Sequence, residues 1–151
     1  MSLREQLDAD LLEAVRSKDE LRRSALRLIK ASVQSEEKSQ GKALGDDGVI
    51  QVLSREAKRR RESIEAFRQG NRLDLVEKEE AELAIITRYL PQQLTAEEIS
   101  EIARSVIEET EAQGPGERGK VMGKLMPQVK GKADGKLVSQ IVGDLLAGKS
   151  D

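Results

Sequence analysis

The chain has 151 residues, 37% hydrophobic and 36% charged, with a formal net charge of −2. It contains no cysteine and no histidine, which excludes disulfides, Cys/His metal centres, thiol nucleophiles and histidine general bases. With one Phe, one Tyr and no Trp, the core must be Leu, Ile, Val and Ala, and recognition of bases by ring stacking is disfavoured.

Ser2 with Glu5 three residues on forms a capping-box pattern, and Leu3, Leu7, Leu11, Ala14 and Val15 then mark one face of a first helix. A break is expected near Ser17–Asp19, with Asp19 as the next N-cap. Leu21, Ala25, Leu28, Ile29 and Val33 mark the face of the second helix, which fades toward Gly41. Gly41 to Gly48 reads as a loop, and Asp46 or Asp47 can cap a third helix that runs to about Gln69, with Gly70 just beyond. The inward series of that helix is Ile50, Leu53, Ala57, Arg60, Ile64 and Phe67. Asn71 is the candidate cap of a fourth helix, which carries Leu75, Val76, Leu83, Ile86 and Leu90 and stops at Pro91.

Leu90-Pro91-Gln92-Gln93-Leu94 has the character of a hinge, since the residue before a proline leaves the α region. Thr95 with Glu98 gives a second capping box, followed by Ile99, Ile102, Ala103, Val106 and Ile107 on one face. Gly114-Pro115-Gly116 is a turn. A short helix from about Glu117 to Leu125 is expected to end or kink at Pro127. Asp134 then caps a last helix through Leu137, Val138, Ile141, Val142, Leu145 and Leu146 to Gly148. No alternating strand pattern survives. The expectation is an all-α protein, with an N-terminal helical hairpin or bundle domain over 1–90 and a small C-terminal three-helix domain over 91–151.

Arg60 stands out because it falls in an inward series, where a guanidinium needs a carboxylate partner. Asp74, Glu79, Glu80 and Glu82 are the candidates, and the pair would be structural. Arg55, Lys58, Arg59 and Arg61 complete a dense basic run. They are either a solvated face paired with Glu56, Glu62 and Glu65 or a phosphate-contacting stripe in which Lys58 and Arg61 face outward. Glu77, Glu79, Glu80 and Glu82 are spread round the helix axis and lack other ligand types, so no metal site and no catalytic residue is assigned. Tyr89, ahead of Leu90-Pro91, reads as a core anchor.

Charge is polarised in the C-terminal part. Over 95–113 six Glu face one Arg, whereas over 114–149 six Lys and one Arg face Glu117, Asp134 and Asp144. Lys120, Lys124, Lys130, Lys132 and Lys136 are therefore candidate phosphate contacts, with Gly131, Gly135 and the start of the last helix allowing close approach of an RNA backbone. Against that, Gly131 and Gly148 can be helix C-caps, Gly123 can serve close helix packing, and an Asp134 cap would repel phosphate.

The whole chain resembles the YqeY family. The resemblance rests on Leu26-Arg27-Leu28-Ile29, Lys58-x-Arg60-x-Glu62-Ser63-Ile64-Glu65-Ala66-Phe67, Arg72-x-Asp74-Leu75 and Lys78-Glu79-Glu80-x-Glu82. It continues through Tyr89-Leu90-Pro91-x-Gln93-Leu94 and the glycine- and lysine-rich Gly119–Asp134. The C-terminal half is also similar to the tail domain of the B subunit of the tRNA-dependent amidotransferase. That similarity implies tRNA as partner, and a role as a non-catalytic accessory module to an amidotransferase or an aminoacyl-tRNA synthetase. The alternative is a protein–protein adaptor docking on such an enzyme through the Glu-rich helix after Thr95 and the basic helix around Arg59. The family also carries the label of a carbon–nitrogen ligase with glutamine as amido-N-donor, but the residues offer no nucleophile with a base and no nucleotide loop. No cofactor is implied. Met1-Ser2-Leu3-Arg4 leads straight into an amphipathic pattern and no apolar run reaches membrane-spanning length, so a cytoplasmic protein without a membrane partner is expected.

Overall fold

The computed structural model describes residues 1–148, and among them the protein is all-α, with seven α-helices, one 3-10 turn and no strand. Lys149, counted above in the basic surplus, lies outside the described residues. The chain divides into two compact units, Met1–Pro91 and Gln92–Asp151.

In the first unit, α1 (Leu3–Arg16) and α2 (Glu20–Gln40) form an antiparallel hairpin. The Ser2–Glu5 capping box and the Asp19 cap are both formed, and Lys18 at φ +58° makes the turn between them. Arg4 to Glu37 (2.6 Å) and Lys30 to Asp8 (3.1 Å) tie the two helices along their length. The buried side chains are Leu7 and Ala14 on α1, and Ala25, Leu26, Ile29 and Val33 on α2. Leu21 and Leu28, expected inside, are exposed, and so is Val15. Four consecutive positions from Ala25 to Leu28 cannot all face one way at 100° per residue, and the stripe centres on Leu26 and Ile29.

α3 (Asp46–Gln69) and α4 (Leu73–Thr87) form a second antiparallel pair. Asp46 and Asp47 do not cap α3. Gly45 is the N-cap, without a side-chain bond, and Asp46 Oδ1 instead accepts from the backbone N–H of Leu3 at 3.0 Å. This ties the start of α1 to the start of α3. Asn71 does not cap α4 either. It adopts φ +57°, a region Asn tolerates better than most residues, and Gly70 keeps a negative φ of −82°. The Arg72 N–H then reaches back to the Phe67 carbonyl at 2.8 Å, which closes the end of α3. The inward face of α3 is Val49, Val52, Leu53, Glu56, Ala57, Arg60 and Ile64, with Phe67 only half-buried.

Arg60 is 7% exposed. Its Nε donates to Glu82 Oε2 at 3.2 Å and its NH1 to Glu56 Oε1 at 3.2 Å, with Glu79 at 4.0 Å. Arg59 NH1 holds the second oxygen of Glu56 at 3.1 Å. The Arg60–Glu82 pair crosses the α3–α4 seam and fixes the register of the two helices, because a slip of one turn would leave Glu82 buried without its partner while Arg60 kept only Glu56 of its own helix.

The second unit packs α5 (Ala96–Thr110), α6 (Arg118–Val129) and α7 (Gly135–Leu146) round Ile99, Ala103, Val106, Val121, Leu125, Val129, Val138 and Val142. α6 does not stop before Pro127 but continues through it to Val129. The proline removes one helical N–H and crowds the Gly123 carbonyl, a cost of about 3 kcal/mol in a helix interior. Full burial of Val129 repays on the order of 1.5–3 kcal/mol of that.

Candidate nucleic-acid interface

The connection between α6 and α7 carries Lys130 and Lys132, and the first turn of α7 carries Lys136, all exposed. Its backbone is held at several points. Gly131 takes φ +76°, which a residue with a side chain adopts only at a cost, and the Lys132 N–H returns to the Val129 carbonyl at 2.8 Å. The Lys132 carbonyl accepts from the Leu94 N–H at 2.8 Å, and Gln93 Nε2 donates to the Gly131 carbonyl at 2.9 Å. The segment expected to be a hinge therefore gives its last three residues to the second unit, where Gln93 and Leu94 clamp the lysine-bearing loop. Sequence reasoning missed this role of Gln93 and Leu94, because a contact across 38 residues leaves no periodic trace.

The five candidate lysines separate into two groups. Lys124 Nζ is 2.7 Å from Glu109 of the acidic helix α5, and Lys120 Nζ is 4.0 Å from Glu117. Lys130, Lys132 and Lys136 make no ion pair among the described residues. A cation already matched by a carboxylate gains less from a phosphate, so the three unmatched lysines are the stronger contacts.

Asp134 caps α7, its Oδ1 accepting from the Lys136 N–H at 3.3 Å. A carboxylate at that helix start competes with phosphate for it, which leaves the lysine side chains as the anion contacts. Gly123 is not a packing glycine: a Cβ built on it, or on Gly119, meets no atom within 4 Å. Both lie on the exposed side of α6, beside Lys120 and Lys124. Lys58 and Arg61 belong to the first unit, on α3, where neither forms an ion pair among the described residues. Arg55 and Arg59 of the same run are matched, to Glu36 at 3.4 Å and Glu56 at 3.1 Å.

Tyr89 packs against the core of the first unit and donates its hydroxyl to Asp10 Oδ2 at 2.5 Å. Burial first, and then the Asp10 carboxylate, push the phenol up to about 12. Pro91 is the last residue of that unit. Among the described residues no cluster of three or more acidic side chains is arranged to hold a metal ion, and no helix is long and apolar enough to cross a membrane.

A family model described as Yqey-like protein matches residues 4–146. "Altered inheritance of mitochondria protein 41, mitochondrial" from Pyrenophora tritici-repentis is 34% identical over 126 residues, covering 82% of this chain and 69% of that protein. The protein of the same name from Lachancea thermotolerans is 39% identical over 93 residues, covering 61% of this chain and half of that protein. An uncharacterized protein of Schizosaccharomyces pombe is 33% identical over 82 residues, covering 54% of this chain and 67% of that protein.

Proposed function

We propose a tRNA-binding role for this chain, which belongs to the Yqey-like protein family. It acts as a non-catalytic accessory module, docking beside an amidotransferase or an aminoacyl-tRNA synthetase. The observation that carries this reading is the clamped α6–α7 connection, which with the first turn of α7 holds three exposed lysines with no carboxylate matched to them among the described residues. Fixing the backbone lowers the ordering cost of binding, while long lysine side chains adapt to the shape of a folded RNA. Lys58 and Arg61 supply a second set of phosphate contacts from the first unit. The net charge of −2 restrains indiscriminate binding, so affinity comes from local complementarity. The names of the Pyrenophora and Lachancea relatives place those proteins in mitochondria. For this chain the cytoplasmic location expected above is part of the proposal, and subcellular fractionation decides it.

The test is fluorescence anisotropy of labelled bulk tRNA over a series of salt concentrations. Each phosphate contact contributes about 0.7–0.9 to the slope of log affinity against log salt. Replacing Lys132 and Lys136 together by Glu should weaken binding and flatten that slope by about two contacts. Absence of binding by the unaltered protein at low salt would remove the reading, and a partner captured in the presence of ribonuclease would favour the adaptor instead.

A further inference from the structure

We infer that the groove along the outer face of α7 is a phosphate-binding site built on Arg118. The groove is about 610 Å³ and open to solvent, and it is lined by Arg118, Lys136, Ser139, Gln140, Gly143 and Asp144 among others. The volume suits a phosphate ester, and the α7 residues follow the helical repeat, so they form one continuous face.

Arg118 opens α6 and reaches across to α7. Its NH2 donates to the Ser139 carbonyl at 2.9 Å and also to the Ser139 hydroxyl. These bonds orient the guanidinium. They occupy one of its three nitrogens, and among the described residues no carboxylate pairs with it and nothing accepts from Nε or NH1. The guanidinium lies over Gly143, where a Cβ would stand 3.6 Å from its central carbon. A larger side chain at 143 would displace it. An arginine fork held in one orientation, with free N–H groups facing a groove, matches a phosphate or other oxyanion.

Lys136 precedes Ser139 by one helical turn, roughly 4.5 Å along the axis, so its ammonium and the Arg118 fork can address the same anion. Ser139 and Gln140 add neutral hydrogen-bonding groups on that face. Asp144 lies roughly 7.5 Å beyond Ser139 along the axis, at the other end of the same face. The groove between α2 and α3 makes a useful contrast. It is smaller, about 320 Å³, and its Arg55 and Arg59 are matched to Glu36 and Glu56, so it lacks an uncommitted fork.

Two sources can supply the phosphate, an RNA backbone or a free phosphate ester, and only the first rests on the tRNA reading. Isotope-edited NMR of the full chain, titrated with inorganic phosphate and with adenosine monophosphate, reads the groove directly. The expected result is saturable shifts at the Arg118 Nε–H and at the Ser139 and Gln140 amides, lost in Arg118→Ala. In parallel, tRNA anisotropy should show about a tenfold loss for Arg118→Ala and a salt slope lower by about one contact. Arg118→Lys should restore the slope but not the full affinity, and Gly143→Leu should mimic Arg118→Ala while keeping the charge. Circular dichroism establishes that each variant is folded, and a mere α6–α7 tether would alter melting without altering binding.

If tRNA fails to bind but the small phosphates shift the groove, the site stands as a phosphate-ester site and the tRNA reading falls. If tRNA binds equally well without Arg118 and the small phosphates shift nothing, the groove is overturned and the tRNA reading stands. No response to any of the ligands overturns both.

Discussion

Arg60→Ala should be among the most damaging substitutions in the first unit. Arg60, Glu56 and Glu82 are 7%, 5% and 6% exposed. Truncating the arginine leaves Glu82 buried without its 3.2 Å partner and leaves Glu56 with Arg59 alone. Breaking a buried pair from one side costs about 3–5 kcal/mol, since the remaining charge keeps its desolvation penalty and loses its compensation. A unit of this size has a stability of about 5–14 kcal/mol, so about a fifth or more of it is at stake. Urea unfolding followed by far-ultraviolet circular dichroism measures this as a fall in midpoint of about 2 M at unchanged slope. Arg60→Met combined with Glu82→Met removes both charges, keeps the Glu56–Arg59 pair and retains volume. It should recover to within about 1 kcal/mol of the unaltered protein. A single Arg60→Ala variant within about 0.3 M of the unaltered midpoint would refute the claim that the network is desolvated and holds α3 against α4.

Gly123→Ala should stabilise α6 by about 0.5–1 kcal/mol, because a Cβ there meets nothing and glycine gives up backbone entropy in a helix. Slower amide exchange along α6 would show it, and faster exchange would mean that the glycine has a packing role after all. Tyr89 is the only tyrosine and there is no tryptophan, so the ultraviolet absorbance of the phenolate reports this one site. Its midpoint should lie near 12, and Asp10→Asn should move it back toward the ordinary value near 10. Because the folded state holds the phenol proton more tightly than the unfolded chain, the contribution to stability is complete below about pH 10 and is lost as pH rises toward 12. A midpoint of about 10 in the folded protein would contradict both the burial of the ring and the Asp10 contact, and an unchanged midpoint in Asp10→Asn would contradict the contact alone.

Much of this fold is legible in the sequence, and the misses share physical causes. Ser2–Glu5, Asp19, Thr95–Glu98 and Asp134 are local signals, and all four caps form. Arg60 could be placed inside because its neighbours in the series repeat at 3 and 4 residues, yet Glu56 could not. One turn before Arg60 and beside Ala57, it looks like an outward charge until α4 brings Glu82 to the other side of the guanidinium. Asn71 is ambiguous for a different reason, since the side chain that favours a helix cap also favours a left-handed backbone, and the end of α3 required the latter. The extension of α6 past Pro127 follows from tertiary burial of Val129, which no local rule records. In the candidate interface, composition identifies the lysines but not which of them have carboxylate partners. Arg118 went unassigned because its significance lies in a contact with Ser139, 21 residues away.

The acidic helix and the basic segment of the second unit are thus parts of one electrostatic arrangement. Glu109 on α5 pairs with Lys124 and Glu117 lies 4.0 Å from Lys120, so the two lysines on α6 are partly matched at the surface of their own unit. Lys130, Lys132, Lys136 and Arg118 are left without carboxylates among the described residues; the three lysines lie on the α6–α7 connection and the first turn of α7, and Arg118 reaches the middle of α7 from the start of α6. Matching Lys124 and Lys120 with carboxylates sharpens this region within the second unit, because an anion gains most where the cations are unmatched. The arrangement predicts opposite consequences for two charge reversals of equal size. Glu109→Lys should release Lys124 and broaden binding to any polyanion, raising affinity for heparin as much as for tRNA. Lys132→Glu should reduce tRNA binding with little effect on stability, because its side chain supports no internal contact among the described residues. Equal effects of the two on tRNA and heparin would mean that net charge alone, and not the placement of the unmatched cations, governs what this surface binds.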